Sequence, residues 1–194
     1  MPPLDLAIPP TYMSSTVPAM PELIAPAHWR TVEFISDLHL DPDEPATVQA
    51  WRDYLSSSQA DAIFLLGDIF EVWVGDDALL EADSFEAKCA QTLSTASARR
   101  SLFFMVGNRD FLAGDAFLQA TGMTGLADPT VLAWGEHRMV LSHGDALCLD
   151  DVEYQQFRAL SRSAAWQQQL LSRRGGGQPR TFRLLAGCRR NHRS

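Results

Sequence analysis

A chain of 194 residues, 46% apolar and 21% charged, has room for one domain with a sizeable core and is neither disordered nor fibrous in composition. No run approaches the ~18 consecutive apolar residues that a membrane-spanning helix requires. Three scattered cysteines (Cys89, Cys148, Cys188) form no CxxC pair and no disulfide framework, which points to a reducing compartment. The net charge of −8 conceals an asymmetry: all 24 acidic residues lie at or before Glu153 with 7 basic ones, and from Tyr154 onward there are 9 arginines and no acid. So acidic a body argues against nucleic acid as a partner, and its clustered carboxylates suit metal ions.

Residues 1–30 hold seven prolines, no hydrophobic period and a first basic residue only at Arg30. A secretory signal needs a basic segment followed by an apolar one, and neither is present. The segment reads as a disordered leader, with Met20 as an alternative start. Strand and helix signals then alternate. Residues 32–36 (VEFIS) predict a short strand. Val48, Trp51 and Leu55 are spaced for a helix over 46–57. AIFLL (62–66) and LFFMV (102–106) predict buried strands, with a helix-compatible stretch over 79–98 between them. A short helix is expected over 111–120. TVLAW and RMVLS flank Gly135-Glu136-His137, a hairpin signal, and 151–172 reads as a helix. The alternation implies an α/β layered domain over 31–172. Residues 173–194 carry three consecutive glycines, seven arginines and no acid. This aberrant segment is either a flexible basic tail or an out-of-frame translation of a GC-rich gene, and its composition points more to the second.

Four strand ends carry polar residues in order: Asp37-Leu38-His39, Gly67-Asp68, Gly107-Asn108-Arg109-Asp110 and His143-Gly144-Asp145. Ligands of α/β sheets bind beyond the carboxyl ends of the strands, so these loops are expected to converge. Each alone is weak. Asp-x-His and Gly-Asp are common turn features, and a single histidine is commonly a satisfied side chain. Together they match no structural demand and offer mixed oxygen and nitrogen donors. Such donors suit Mn²⁺, Fe²⁺ or Zn²⁺ better than Ca²⁺, and a pair of such ions can activate water and clamp a phosphoryl group. Arg109 could grip a phosphate or simply pair with Asp110. Asp150 and Asp151 could bind ligand or cap the following helix. Trp73, Tyr154, Phe157 and Trp166 read as packing residues.

The series DLH, GD, GN-x-D and HGD resembles the calcineurin-like metallophosphoesterases over about residues 32–169. The resemblance implies a layered β-sandwich flanked by helices, with two divalent ions in its loops. Asp37 and His39 would hold the first, Asp68 would bridge, and Asn108 and His143 would hold the second. GNRDF has arginine where most of the superfamily has histidine. With GDIFEVWVGDD and SHGDALCLDDVEYQQFR, it resembles the branch that hydrolyses UDP-2,3-diacylglucosamine in lipid A biosynthesis. That implies Mn²⁺, Asn108 and Arg109 as catalytic and substrate-binding residues, and Asp151 as a further substrate contact. It also implies an acylated UDP-sugar as substrate and peripheral contact with the cytoplasmic face of the inner membrane.

The branch completes its metal spheres with Gly-His-x-His, followed by C-terminal strands. The five histidines here (His28, His39, His137, His143, His192) form no such motif. The helical lid that should follow Gln169 also has no counterpart. The chain is therefore expected to be a truncated, frameshifted copy. It would lack one ligand for each ion, leave a sheet edge exposed and have little or no activity.

Overall fold

Two apolar runs at the centre of the chain set the architecture. The computed structural model describes residues 20–172. In it, β3 (Ala62–Leu66) and β4 (Ser101–Met105) pair in parallel and are buried on both faces. Side chains of a strand alternate between faces, so each run feeds two cores. Ala62, Phe64, Phe103 and Met105 point to one side, whereas Ile63, Leu65, Leu102 and Phe104 point to the other. This double burial is why both strands read as continuous apolar runs.

β2 (Val32–Ile35) pairs parallel to β3, and β5 (Thr124–Leu126) pairs parallel to β4, giving a four-stranded sheet in the order β2-β3-β4-β5. A second sheet stacks on it with the order β1-β6-β7. There β1 (Glu22–Ile24) runs parallel to β6 (Thr130–Trp134), and β6 forms a hairpin with β7 (His137–Leu141). Gly135, at φ +60°, opens the two-residue turn between them, as a first-position glycine does in a II′ hairpin. Between the sheets Phe64 stacks on Phe103 at 4.7 Å, and Trp29 meets both rings edge-on. Leu132 and Leu141 close this core from the smaller sheet.

Helices cover the other face of the larger sheet. α1 (Pro45–Ser57) starts with proline in its first turn and buries Val48, Trp51 and Leu55. α2 (Phe85–Ser97) starts at Ser84, whose hydroxyl accepts the Ala87 N–H, and buries Cys89, Leu93 and Ala96. α3 (Asp115–Thr121) begins after Gly114, which has no side chain to cap it. Asp76, from a 3-10 turn at Asp76–Leu80, accepts the Gly114 and Phe117 N–H groups instead. α4 (Val152–Ser161) and α5 (Ala164–Ser172) follow the second sheet. The result is the expected α/β arrangement of two stacked sheets flanked by helices.

Several boundaries differ from the sequence reading. Residues 22–30 are not a leader: β1 pairs with β6, and Trp29 is buried in the inter-sheet core. Their prolines concealed a strand of three residues, too short to show a period. The helical reading over 79–98 holds only after the Ser84 cap. The short helix begins at Asp115 rather than at 111, and the stretch over 151–172 breaks at Arg162 and Ser163 into two helices. β5 went unpredicted because three residues around Gly125 carry almost no pattern. Residues 1–19 and the basic segment 173–194 lie outside the described residues.

Phe64 is fully buried between the sheets. Phe64→Ala is expected to cost about 3–5 kcal/mol of stability, read as a lower denaturation midpoint with an unchanged denaturant slope.

Candidate metal centre

The loops after β2 and β3 stay bound to each other beyond the strands. Asp37 N–H donates to Gly67 O at 3.0 Å, His39 N–H to Asp68 O at 3.1 Å, and Leu40 N–H to Ile69 O at 2.8 Å. Following this path puts three non-glycine residues in the left-handed region: Asp37 at φ 55°, His39 at 50° and Asp68 at 52°. Each such residue costs on the order of 1–3 kcal/mol, and conformations of that kind gather at functional sites. Close approach adds a second constraint. A Cβ on Gly67 would stand 2.6 Å from His143 Nδ1, and one on Gly107 would collide with the Asp68 carboxylate and backbone. Both positions therefore need glycine.

This path delivers four of the expected strand ends to one place. Donor atoms of Asp37, Asp68 and His143 lie within 4.8 Å of one another. Asp68, nearly buried, sits between two imidazoles: its Oδ1 is 3.7 Å from His143 Nε2 and its Oδ2 is 4.0 Å from His39 Nε2. Asn108 Oδ1 stands 3.0 Å from His143 Nε2. The other ring nitrogen of His143 lies 2.9 Å from Leu66 O, and a carbonyl only accepts, so Nδ1 carries the proton. Nε2 faces the Asn108 amide oxygen, and an imidazole nitrogen and an amide oxygen set beside two carboxylates make a donor set that fits a divalent ion. Burial pushes the Asp68 carboxyl up, opposed by the Arg109 N–H and the two histidines. That is the balance of a carboxylate held ready for positive charge.

The surrounding carboxylates organise the backbone. Asp110 is fully buried and accepts the N–H groups of Gly107 and Ile69, joining the loops after β3 and β4. Burial pushes its carboxyl up to about 6, against the pull of those N–H donors. Arg109 does not pair with Asp110. Its backbone N–H donates to Asp68 Oδ1 at 2.8 Å, and its guanidinium lies 3.3 Å from Glu71 Oε1. Glu71 also accepts from His39 Nδ1 at 3.0 Å. The sequence reading gave Glu71 no role, although GDIFE places it three residues after Asp68.

Asp145 is a second hub that the sequence left unassigned. It accepts the Tyr154 hydroxyl at 2.7 Å and faces Arg158 at 3.0 Å and Arg162 at 3.3 Å. The Arg158 approach falls outside hydrogen-bond alignment, so that pair is chiefly coulombic. Arg162 also donates to Gly107 O at 2.8 Å, tying the end of α4 to the Asn108 loop. Asp151 is exposed and caps α4 by accepting the Tyr154 N–H at 3.0 Å. Trp73 is core, packed on Phe70 and Phe117, and Phe157 and Trp166 pack edge-to-face.

Stacked sheets with helices on one face, and acidic, amide and imidazole donors gathered where the strands end, define a metallophosphoesterase-like α/β domain. No protein-family profile matches the chain. Over 144 residues it is 44% identical to the UDP-2,3-diacylglucosamine hydrolases of Xanthomonas oryzae pv. oryzae, Chromohalobacter salexigens and Chromobacterium violaceum. The match takes in 73% of this chain and 58–60% of those proteins, so the chain spans less than two thirds of the curated relatives it matches. Over that shared stretch it is a homologue of the UDP-2,3-diacylglucosamine hydrolases.

The Asp145 hub makes a prediction about acid stability. Burial works to raise its pKa, but the bond from the Tyr154 hydroxyl and the charges of Arg158 and Arg162 outweigh this and hold it low. Its stabilisation is therefore present above about 4, the ordinary carboxylate value, and is lost as pH falls through the lower folded-state pKa. Asp145→Asn is expected to cost about 2 kcal/mol at neutral pH. It should also flatten the acid limb of a stability-against-pH curve measured by denaturant titration.

Proposed function

We propose that the protein hydrolyses the pyrophosphate bond of UDP-2,3-diacylglucosamine, releasing UMP and 2,3-diacylglucosamine 1-phosphate. The observation that carries this is the cluster of Asp37, Asp68 and His143 with Asn108 beside it, in a chain whose relatives bear that hydrolase name. In this reading Asp37, His39, Asp68, Asn108 and His143 would hold two divalent ions, with Mn²⁺ as first choice, which would supply a water of lowered pKa and neutralise phosphoryl charge.

The chain's own residues do the rest. Leu66 O keeps the His143 proton on Nδ1, leaving Nε2 to accept. Asp110 fixes the Gly107 and Ile69 amides, so the Asn108 and Asp68 loops keep their spacing. Arg109 has its backbone anchored on Asp68 and its guanidinium held on Glu71, where it would meet the diphosphate. A guanidinium keeps its charge and can bind two phosphate oxygens in parallel. It thereby stabilises charge on a leaving phosphate that needs no proton. Asp151 is a further substrate contact in this reading, beyond its role as helix cap. The exposed Leu147, Leu149 and Val152 follow the His143 loop and offer apolar surface to an acylated substrate. That substrate would bring the protein into peripheral contact with the cytoplasmic face of the inner membrane. No helix among the described residues is long and apolar enough to cross a membrane.

A second reading is a domain that binds metal weakly and turns over little. One experiment separates the two. Purified protein with Mn²⁺ is expected to release UMP from UDP-2,3-diacylglucosamine, to stop on chelation and to resume on adding Mn²⁺. Asp68→Asn should lower kcat/KM at least about 100-fold by removing its carboxylate charge. Arg109→Lys should lower it about tenfold by removing the paired donors. Fewer than two bound Mn²⁺ and no UMP would leave only the second reading.

A further inference from the structure

Glu71 stands between the two halves of the proposed site. Its Oε2 lies 3.0 Å from His39 Nδ1 and its Oε1 lies 3.3 Å from the Arg109 guanidinium. The His39 ring is about a third exposed, and its only described anchor besides its own backbone is this carboxylate. A carboxylate accepts and does not donate, so the shared proton belongs to the imidazole Nδ1. In the neutral ring Nε2 is then the unprotonated nitrogen, and it is the one directed at Asp68 Oδ2, 4.0 Å away. Arg109 completes the arrangement. By engaging the other oxygen it sets the rotation of the carboxylate, so that Oε2 faces the ring.

We propose that Glu71 is a positioning residue that locks His39 into the Nδ1–H tautomer and so presents Nε2 to the metal centre. The inference deepens the proposed function, since the metal role of His39 rests on that reading. The tautomer itself does not. Ligating histidines depend on such partners for ring orientation and basicity, and losing one lowers metal affinity about 10–100-fold. His143 is served by a main-chain carbonyl, Leu66 O, which no substitution of a side chain removes. The two histidines should therefore differ in their response to mutation.

The test uses the full 194-residue chain without metal, in ¹⁵N-correlated imidazole spectra recorded at about pH 8.5, where a histidine of ordinary pKa is neutral. The His39 signals are assigned by their loss in His39→Asn. Wild type is expected to show His39 as Nδ1–H. Glu71→Ala should revert it to Nε2–H, the form favoured by free histidine. In Glu71→Gln the amide oxygen goes to Arg109 and the NH₂ faces the ring, so the tautomer should also invert. His143 should remain Nδ1–H in all three, which shows that the loops are still folded. Mn²⁺ titrations should then show about 10–100-fold weaker binding to Glu71→Ala. Nε2–H at His39 in wild type, or Nδ1–H retained in Glu71→Ala, overturns the proposal. If the tautomer responds as stated but no variant binds Mn²⁺, the proposal stands, and it is the metal chemistry of the proposed function that fails.

Discussion

The hydrogen bonds that continue between the β2 and β3 loops, after both strands have ended, are the constraint on which the site depends. They hold Asp37 and His39 against Asp68, and they oblige three non-glycine residues to take left-handed conformations. Aspartate and histidine tolerate that backbone better than most residues, but they do not prefer it. It persists because β3 is buried on both faces and cannot slip. A one-residue change of register would exchange Phe64 and Leu65 between the inter-sheet core and the helical core. The same burial that stabilises the domain therefore fixes the ligand-bearing loops to within hydrogen-bond distance.

Around those loops, acidic side chains do different work according to how they are buried. Asp68 and Asp37 converge on a space where donors other than backbone are scarce. Asp110 is shut away completely and is spent on two main-chain N–H groups. Asp145 gathers a tyrosine and two arginines, and through Arg162 links α4 to the Gly107 carbonyl. Asp76 caps α3 from a distant turn. The negative charge of the chain before Glu153 is thus partly a scaffold of internal acceptors, and the candidate metal centre takes only a share of it. The first two arginines after that point, Arg158 and Arg162, supply the positive charge that Asp145 requires.

The chain matches relatives over 144 residues, rather more than half of their length, so the relation to UDP-2,3-diacylglucosamine hydrolases is carried by a long stretch of the chain and not by isolated motifs. The smaller sheet presents β7 as an edge, with Val140 largely exposed on it.

Much of this was legible in the sequence. AIFLL and LFFMV announce strands buried on both faces, because a strand core admits little else. The spacing of Val48, Trp51 and Leu55 announces a helix, and the order DLH, GD, GN, HGD announces ligands at strand ends. Those signals are local, written in period and residue type. The three-residue strands β1 and β5 left no such trace, since their existence depends on the partners they pair with. For the same reason Trp29 became core where a leader had been read. Only the tertiary structure decided that Arg109 meets Glu71 and not the adjacent Asp110, that Asp151 caps a helix, and that Glu71 and Asp145 are hubs. These are contacts between residues up to 38 positions apart. A hydrogen bond is chosen by distance and angle in space, and the sequence alone specifies neither.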